Sequence, residues 1–299
     1  MSPGGVPPTT GLEWPVIVAV LLGALLHAGW NVLVKSGRDK SLDTALVHFM
    51  AGVVALPLLA WVGLPGASCL PFIALSVVIH TGYYAALAGA YHHGELGLTY
   101  PLMRGVAPLL VALGSAAFVA ESPSVAAWGG ILGITLGVAL VGLAHPGQAL
   151  HPGKALGYAL ANAVLIAAYT FVDAAGVRAE VAGGGHAMRY VLLLFVLDSL
   201  PYTLGLWLRR GPAGRADIVA YARRRWHVAA LGGSASIGSY AIALWAMTRS
   251  PVASVAALRE TSVLFAALLG AWLLKERFGL QRAAGTVVIV AGVLALRLG

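Results

Sequence analysis

LGLTYPLMRGVAPLLVALGSAAFVAESPSVAAWGGILGITLGVALVGL, residues 96–143, and PVASVAALRETSVLFAALLGAWLLKERFGLQRAAGTVVIVAGVLALRL, residues 251–298, are one stretch written twice, 155 positions apart. At that offset Arg104 falls on Arg259, Leu109 on Leu264, Ala112 and Leu113 on Ala267 and Leu268, and Ala116 on Ala271. Farther on, Glu121 falls on Glu276, Gly130 on Gly285, Ile134 on Ile289, and Gly137 and Val138 on Gly292 and Val293. The register holds without a gap through two apolar segments and the polar hinge between them. An arginine inside a hydrophobic run and a glutamate at its end would not stay in step through Ala/Leu-rich composition alone. Duplicated hydrophobic halves point to a membrane protein whose site lies where the halves meet.

Composition agrees. Apolar residues make up 59% of the 299 and charged residues 10%, against roughly 25% charged in a soluble domain. Such a chain cannot cover a water-facing surface, so its solvent is lipid. The 38 glycines would weaken helices in water, but in a bilayer they let helix backbones approach closely. The net charge of +8 sits almost wholly in short connections between apolar runs, which argues against a nucleic-acid partner. The single Cys69 permits no internal disulfide and lacks the spacing of a metal site. No Lys or Arg precedes the first apolar run, so it does not read as a cleavable signal.

Crossing the hydrocarbon core takes about 20 apolar residues in a helix. Ten runs qualify: 15–35, 42–63, 72–91, 96–120, 125–143, 155–177, 187–208, 228–247, 252–274 and 280–298. The predicted fold is an all-α membrane protein of ten transmembrane helices around a central cavity. Residues 1–144 form the first five-helix repeat, 145–154 a connecting loop and 155–299 the second repeat, in one membrane domain. A weaker match, His27 to Asn31 with Ile166 to Thr170, joins the starts of the halves. An odd number of helices per repeat inserts the second copy upside down, relating the two by a pseudo-two-fold axis in the membrane plane.

Thirteen Lys and Arg fall in the connections 1–2, 5–6, 7–8 and 9–10, whereas four, Arg178, Arg189, Arg249 and Arg297, fall on the other side. The positive-inside rule then places the first group in the cytoplasm and both termini outside. The expectation is an integral protein of a bacterial inner membrane with periplasmic termini.

Ten helices in two halves, with Arg104 and Glu121 and again Arg259 and Glu276 on the fourth helix of each, resemble the EamA-like branch of the drug/metabolite transporter superfamily. The stretches from Tyr100 to Pro108 and from Leu273 to Arg277 are the most family-like, and the resemblance covers essentially the whole chain. It implies a cavity lined by helices 1, 3, 4, 6, 8 and 9, with helices 5 and 10 as outer scaffold. It also implies transport of amino acids, other metabolites, drugs or nucleotide sugars. Many relatives keep both termini cytoplasmic, the reverse of the charge count here.

Charged groups inside a bilayer need a cavity or a partner. Arg104 lies in the fourth helix with Tyr100 and Pro108 one turn away on either side. Its planar guanidinium matches a carboxylate. Two readings stand: capture of a substrate carboxylate, or an internal ion pair or snorkelling side chain. Arg259 is its repeat mate. Glu260 has Gly105 as counterpart and serves either as a proton-coupling carboxylate or as an ion-pair partner of Arg104 or Arg259. Consecutive residues point about 100° apart on a helix, so Arg259 and Glu260 are not expected both to face the cavity squarely.

Helix 1 aligns His27, Trp30 and Asn31; helix 3 aligns His80, Tyr83 and Tyr84; helix 6 aligns Asn162, Tyr169 and Asp173. With Tyr100 of helix 4 and Tyr240 of helix 8, all of these but Asp173 are candidate substrate contacts. Asp173, near its predicted helix end, reads as a solvated cap. Trp14, Trp61, Trp128 and Trp226 at helix ends suit an interfacial belt. Pro101 and Pro108 interrupt helix 4 where helix 9 has Ala256 and Val263, so helix 4 is expected either to bend as a gate or to hold a static kink, and helix 9 to bend less. Gly129, Gly133 and Gly137, with Gly285 and Gly292, form a packing ridge.

Two arginines among aromatic rings suit a carboxylate-bearing solute, so export of amino acids or similar small molecules is expected. A multidrug, organic-cation or nucleotide-sugar transporter is the alternative. An intramembrane lipid-processing enzyme would need a catalytic constellation, and no such motif appears; a non-transporting scaffold subunit would not need polar lining. The chain has no phosphate-binding loop for direct ATP coupling. No cofactor and no metal are expected, and the chain is expected to act as a monomer.

Overall fold

The structure is a computed structural model that describes residues 12–35, 37, 39–94, 96–143, 152–273 and 279–299. It is all-helical. The helices are α1 (Trp14–Lys35), α2 (Lys40–Val62), α3 (Leu70–His93), α4 (Leu96–Phe118), α5 (Val125–Gly142), α6 (Pro152–Ala182), α7 (Ala187–Arg209), α8 (Pro212–Met247), α9 (Val252–Arg259), α10 (Ser262–Leu273) and α11 (Leu280–Leu298). They supply ten spans long and apolar enough to cross a membrane, the ninth being α9 and α10 together. Outward-facing Leu56, Leu132, Leu204 and Val287 are each more than half exposed, as a lipid-facing surface requires. The chain is an integral membrane protein.

Local chemistry sets several boundaries. The Asp39 carboxylate caps α2 by accepting from the Leu42 N–H at 3.0 Å, and the Ser124 hydroxyl accepts from the Ala127 N–H at 3.0 Å to start α5. Between α4 and α5, Ala120 adopts φ +54°, a left-handed conformation uncommon for a residue with a Cβ.

Three boundaries depart from expectation. α8 begins at Pro212 rather than Val228, so Arg215, Arg223, Arg224 and Arg225 lie on a helix and not in a loop. Arg225 and the Tyr221 hydroxyl both bind the buried Asp43 carboxylate, at 2.8 and 2.7 Å, and this anchoring to α2 gives the polar segment a reason to be helical. α6 runs from Pro152 to Ala182, which moves Arg178 from the expected loop into the helix. The ninth span is broken while α4 passes both prolines as one helix, the reverse of the expected asymmetry. The break has a local cause. Glu260, Thr261 and Ser262 are consecutive polar residues, and the Thr261 hydroxyl donates to the Leu258 carbonyl at 2.7 Å, competing with the helical ladder. The backbone there tightens to three-residue steps, from Glu260 N to Ala257 O at 3.0 Å and from Thr261 N to Leu258 O at 3.2 Å.

The halves interlock. α2 packs on α7, α4 on α9, α5 on α11, α1 on α8 and α3 on α6. Exchanging α1 with α6, α2 with α7, α3 with α8, α4 with α9 and α5 with α11 maps this set onto itself. The α5–α11 contact is backbone on backbone: a Cβ at Gly137 would sit 2.8 Å from the Gly285 carbonyl oxygen, and one at Gly292 would sit 2.9 Å from that of Gly130. Gly129 faces open space; its neighbour Gly130 takes the expected place in the ridge, because the helix phase turns that residue inward.

Candidate substrate site

α4 and the broken ninth span bring their charges together at the centre of the interlock. Arg104 Nε lies 2.6 Å from Glu260 Oε2, with side chains 7% and 6% exposed, and Arg104 Nη2 donates to the Ser262 hydroxyl at 3.3 Å. The break makes this possible, since it releases Glu260 from the helix that carries Arg259. Removing two charges from water is costly, and close geometry with extra hydrogen bonds is what offsets that cost.

Arg259 points elsewhere. Its guanidinium lies 5.2 Å from the centre of the Tyr240 ring, a cation–π distance worth about 0.5–2 kcal/mol. Among the described residues no carboxylate forms an ion pair with it. Two small pockets meet at this residue. One is walled by Gly23 and His27 of α1, Arg104 of α4, and Ser239 and Ala243 of α8. The other is walled by Ala107, Pro108, Thr170, Ala256 and Glu260.

Aromatic rings extend from there. His80 stacks on Tyr169 with centroids 4.3 Å apart, Tyr83 meets Tyr169 edge-on at 6.0 Å, and Tyr240 stands 6.4 Å from His80. A second group continues from Tyr84. His48 meets Tyr84 edge-on at 5.0 Å and Trp30 at 6.2 Å, and the Tyr84 hydroxyl donates to Asp198 Oδ2 at 2.8 Å.

The structure therefore gathers Arg104, Arg259, Glu260, His27 and Pro108 at the pockets, with Tyr240, Tyr169, His80 and Tyr83 adjoining. Trp30 and Tyr84 belong to the second group. Asn31 Nδ2 donates to the His27 carbonyl at 2.7 Å, and Asn162 Nδ2 to the Tyr83 carbonyl at 3.0 Å, so both amides serve the backbone. Tyr100 packs with Ala90, Met103 and Ala159, and Pro101 against Gly142. Asp173 is not a solvated cap: it is fully buried and accepts from the hydroxyls of Tyr190, at 2.8 Å, and Tyr240. The reason is the length of α6, which runs nine residues past it. Sequence reading missed His48, Asp198 and Tyr190; a histidine and an aspartate inside apolar runs were the available signal.

A polar cluster joins the halves at the far end of α4. Glu121 Oε1 lies 2.5 Å from Arg178 Nη2, Glu121 Oε2 accepts from the Val252 N–H at 2.7 Å, and Arg178 Nε donates to the Met247 carbonyl at 2.8 Å. One glutamate thus ties the α4–α5 turn to α6 and to the first residue of α9. Its repeat mate Glu276 lies outside the described residues.

Residues 153–298 match the model of the EamA-like transporter family. By that match the second half of the chain is similar to this family, which is part of the drug/metabolite transporter superfamily. A solved crystal structure superposes with a TM-score of 0.74 over 95% of this chain and 97% of its own, at 19% identity; a likeness at that identity shows the fold alone. No curated protein matches the sequence.

Proposed function

We propose that this EamA-like protein is a secondary transporter that exports amino acids or related carboxylate-bearing solutes across a bacterial inner membrane. Its two five-helix halves act as inverted repeats, and solute is exposed alternately to either face. The contact set that maps onto itself when the halves are exchanged supports that arrangement, and the Lys and Arg bias supports periplasmic termini.

The observation that carries the substrate class is Arg259: a guanidinium on the wall of both pockets, resting on Tyr240, with no acid pairing it among the described residues. Its fork of donors fits a carboxylate in bidentate geometry. Arg104 is held by Glu260 and Ser262 and shapes the pocket from the other side. His80, Tyr169 and Tyr83 offer flat apolar faces to the rest of the solute. Closure at one face falls to Glu121 and Arg178.

Counterflow in proteoliposomes with labelled amino acids and simple organic acids tests this. Saturable carboxylate exchange in the wild type, abolished in Arg259→Ala, is the expected result. Flux of an organic cation with none of any carboxylate overturns it.

A further inference from the structure

We propose that Asp173 is a proton-binding site that couples transport to a pH gradient, with Ser76 and His80 beside it and Tyr240 linking it to Arg259. The link to transport rests on the reading of Arg259 as substrate anchor; the proton site itself does not. Asp173 is fully buried, and neither Lys nor Arg pairs with it among the described residues. A buried carboxylate whose ionisable neighbour is the titratable His80, with no permanent cation beside it among the described residues, is neutralised by taking a proton.

The groups that face it are few. From α3, the Ser76 hydroxyl lies between the Asp173 carboxylate and His80 Nδ1, 3.1 Å from the latter. From α7 and α8 come the hydroxyls of Tyr190 and Tyr240. Arg259 stands behind the Tyr240 ring, Tyr169 lies on α6 itself, and the Cys69 thiol lies beyond Tyr190. Glu180, two turns along α6, is occupied by the Gly66 N–H at 2.7 Å. Glu260 differs in having Arg104 at ion-pair distance, a permanent counterion that Asp173 does not have among the described residues. A carboxylate solute arriving at Arg259 draws the guanidinium toward itself and away from Tyr240, and the donor that Tyr240 gives Asp173 changes with it. Proton occupancy and solute occupancy then bias one another.

Infrared pH-difference spectra of the full chain in lipid, with and without ¹³C-labelled aspartate, test the site without any solute. We expect an isotope-sensitive carboxylic-acid band on acidification that is missing in Asp173→Asn and moved in midpoint in Tyr190→Phe. Spectra of Asp173→Asn that match the wild type, a midpoint unmoved in Tyr190→Phe, or a band driven by Na⁺ at fixed pH each overturn the proposal. Coupling is read in proteoliposomes with L-phenylalanine as probe: Asp173→Asn keeps counterflow and loses accumulation driven by a pH gradient. Retained accumulation in that variant overturns the coupling role. A wild type that moves no carboxylate counts against the substrate reading alone, and the infrared result still decides the proton site.

Discussion

Arg104 and Arg259 hold equivalent places in the two copies, yet their surroundings divide their labour. Arg104 faces a carboxylate at 2.6 Å, and Arg259 faces an aromatic ring. Arg259→Lys keeps the charge and loses the fork, so it should stay folded while solute-induced thermal stabilisation disappears; full stabilisation in that variant would remove Arg259 as anchor. Arg104→Ala leaves Glu260 buried without its counterion. It should lower stability by about 3–5 kcal/mol, seen as a drop in melting temperature, and Glu260→Gln in the same chain should restore most of it. Both arginines and Glu260 were legible in the sequence because a charge inside an apolar run is rarely idle. Which arginine was paired was not legible, since that depends on three polar residues breaking the ninth span. Asp173 was misread for a related reason: its helix outran its apolar stretch.

Helix by helix, the glycines of α5 and α11 set a distance that no larger residue tolerates. Gly137→Ala places its Cβ 2.5 Å from Ile289 Cγ1 and 2.8 Å from a backbone oxygen, and the oxygen cannot swing aside. A loss of about 1–3 kcal/mol is expected, read as a lower melting temperature, while Gly129→Ala on the open side should change little. The duplicated sequence pointed to this face but not to its phase, because a one-residue shift rotates a helix by about 100°. Helix ends were legible where Gly, Pro or Ser punctuated them. They were hidden where tertiary contacts carry a helix onward, as the Asp43 anchor does for the start of α8.

For the whole molecule, the proposed alternating access requires the contacts at Glu121 to open. Glu121→Gln weakens the hold on Arg178 and should favour the state open at that face, so a cysteine introduced nearby would react faster with an impermeant thiol reagent than in the wild type. An unchanged rate would mean that this contact does not close the path. Orientation has its own measurement: a reporter active only in the periplasm should be active when fused after Gly299 and inactive near Gly211, and the reverse pattern would refute the charge bias. The short helix α9 joins these two scales. It is eight residues long, about 12 Å at 1.5 Å per residue, with Glu121 fastened to its first N–H and Arg259 at its last turn. A stiff rod pinned at one end and jointed at the other works as a lever, so in the proposed cycle a solute pulling on Arg259 and a latch slipping at Glu121 are two ends of a single displacement.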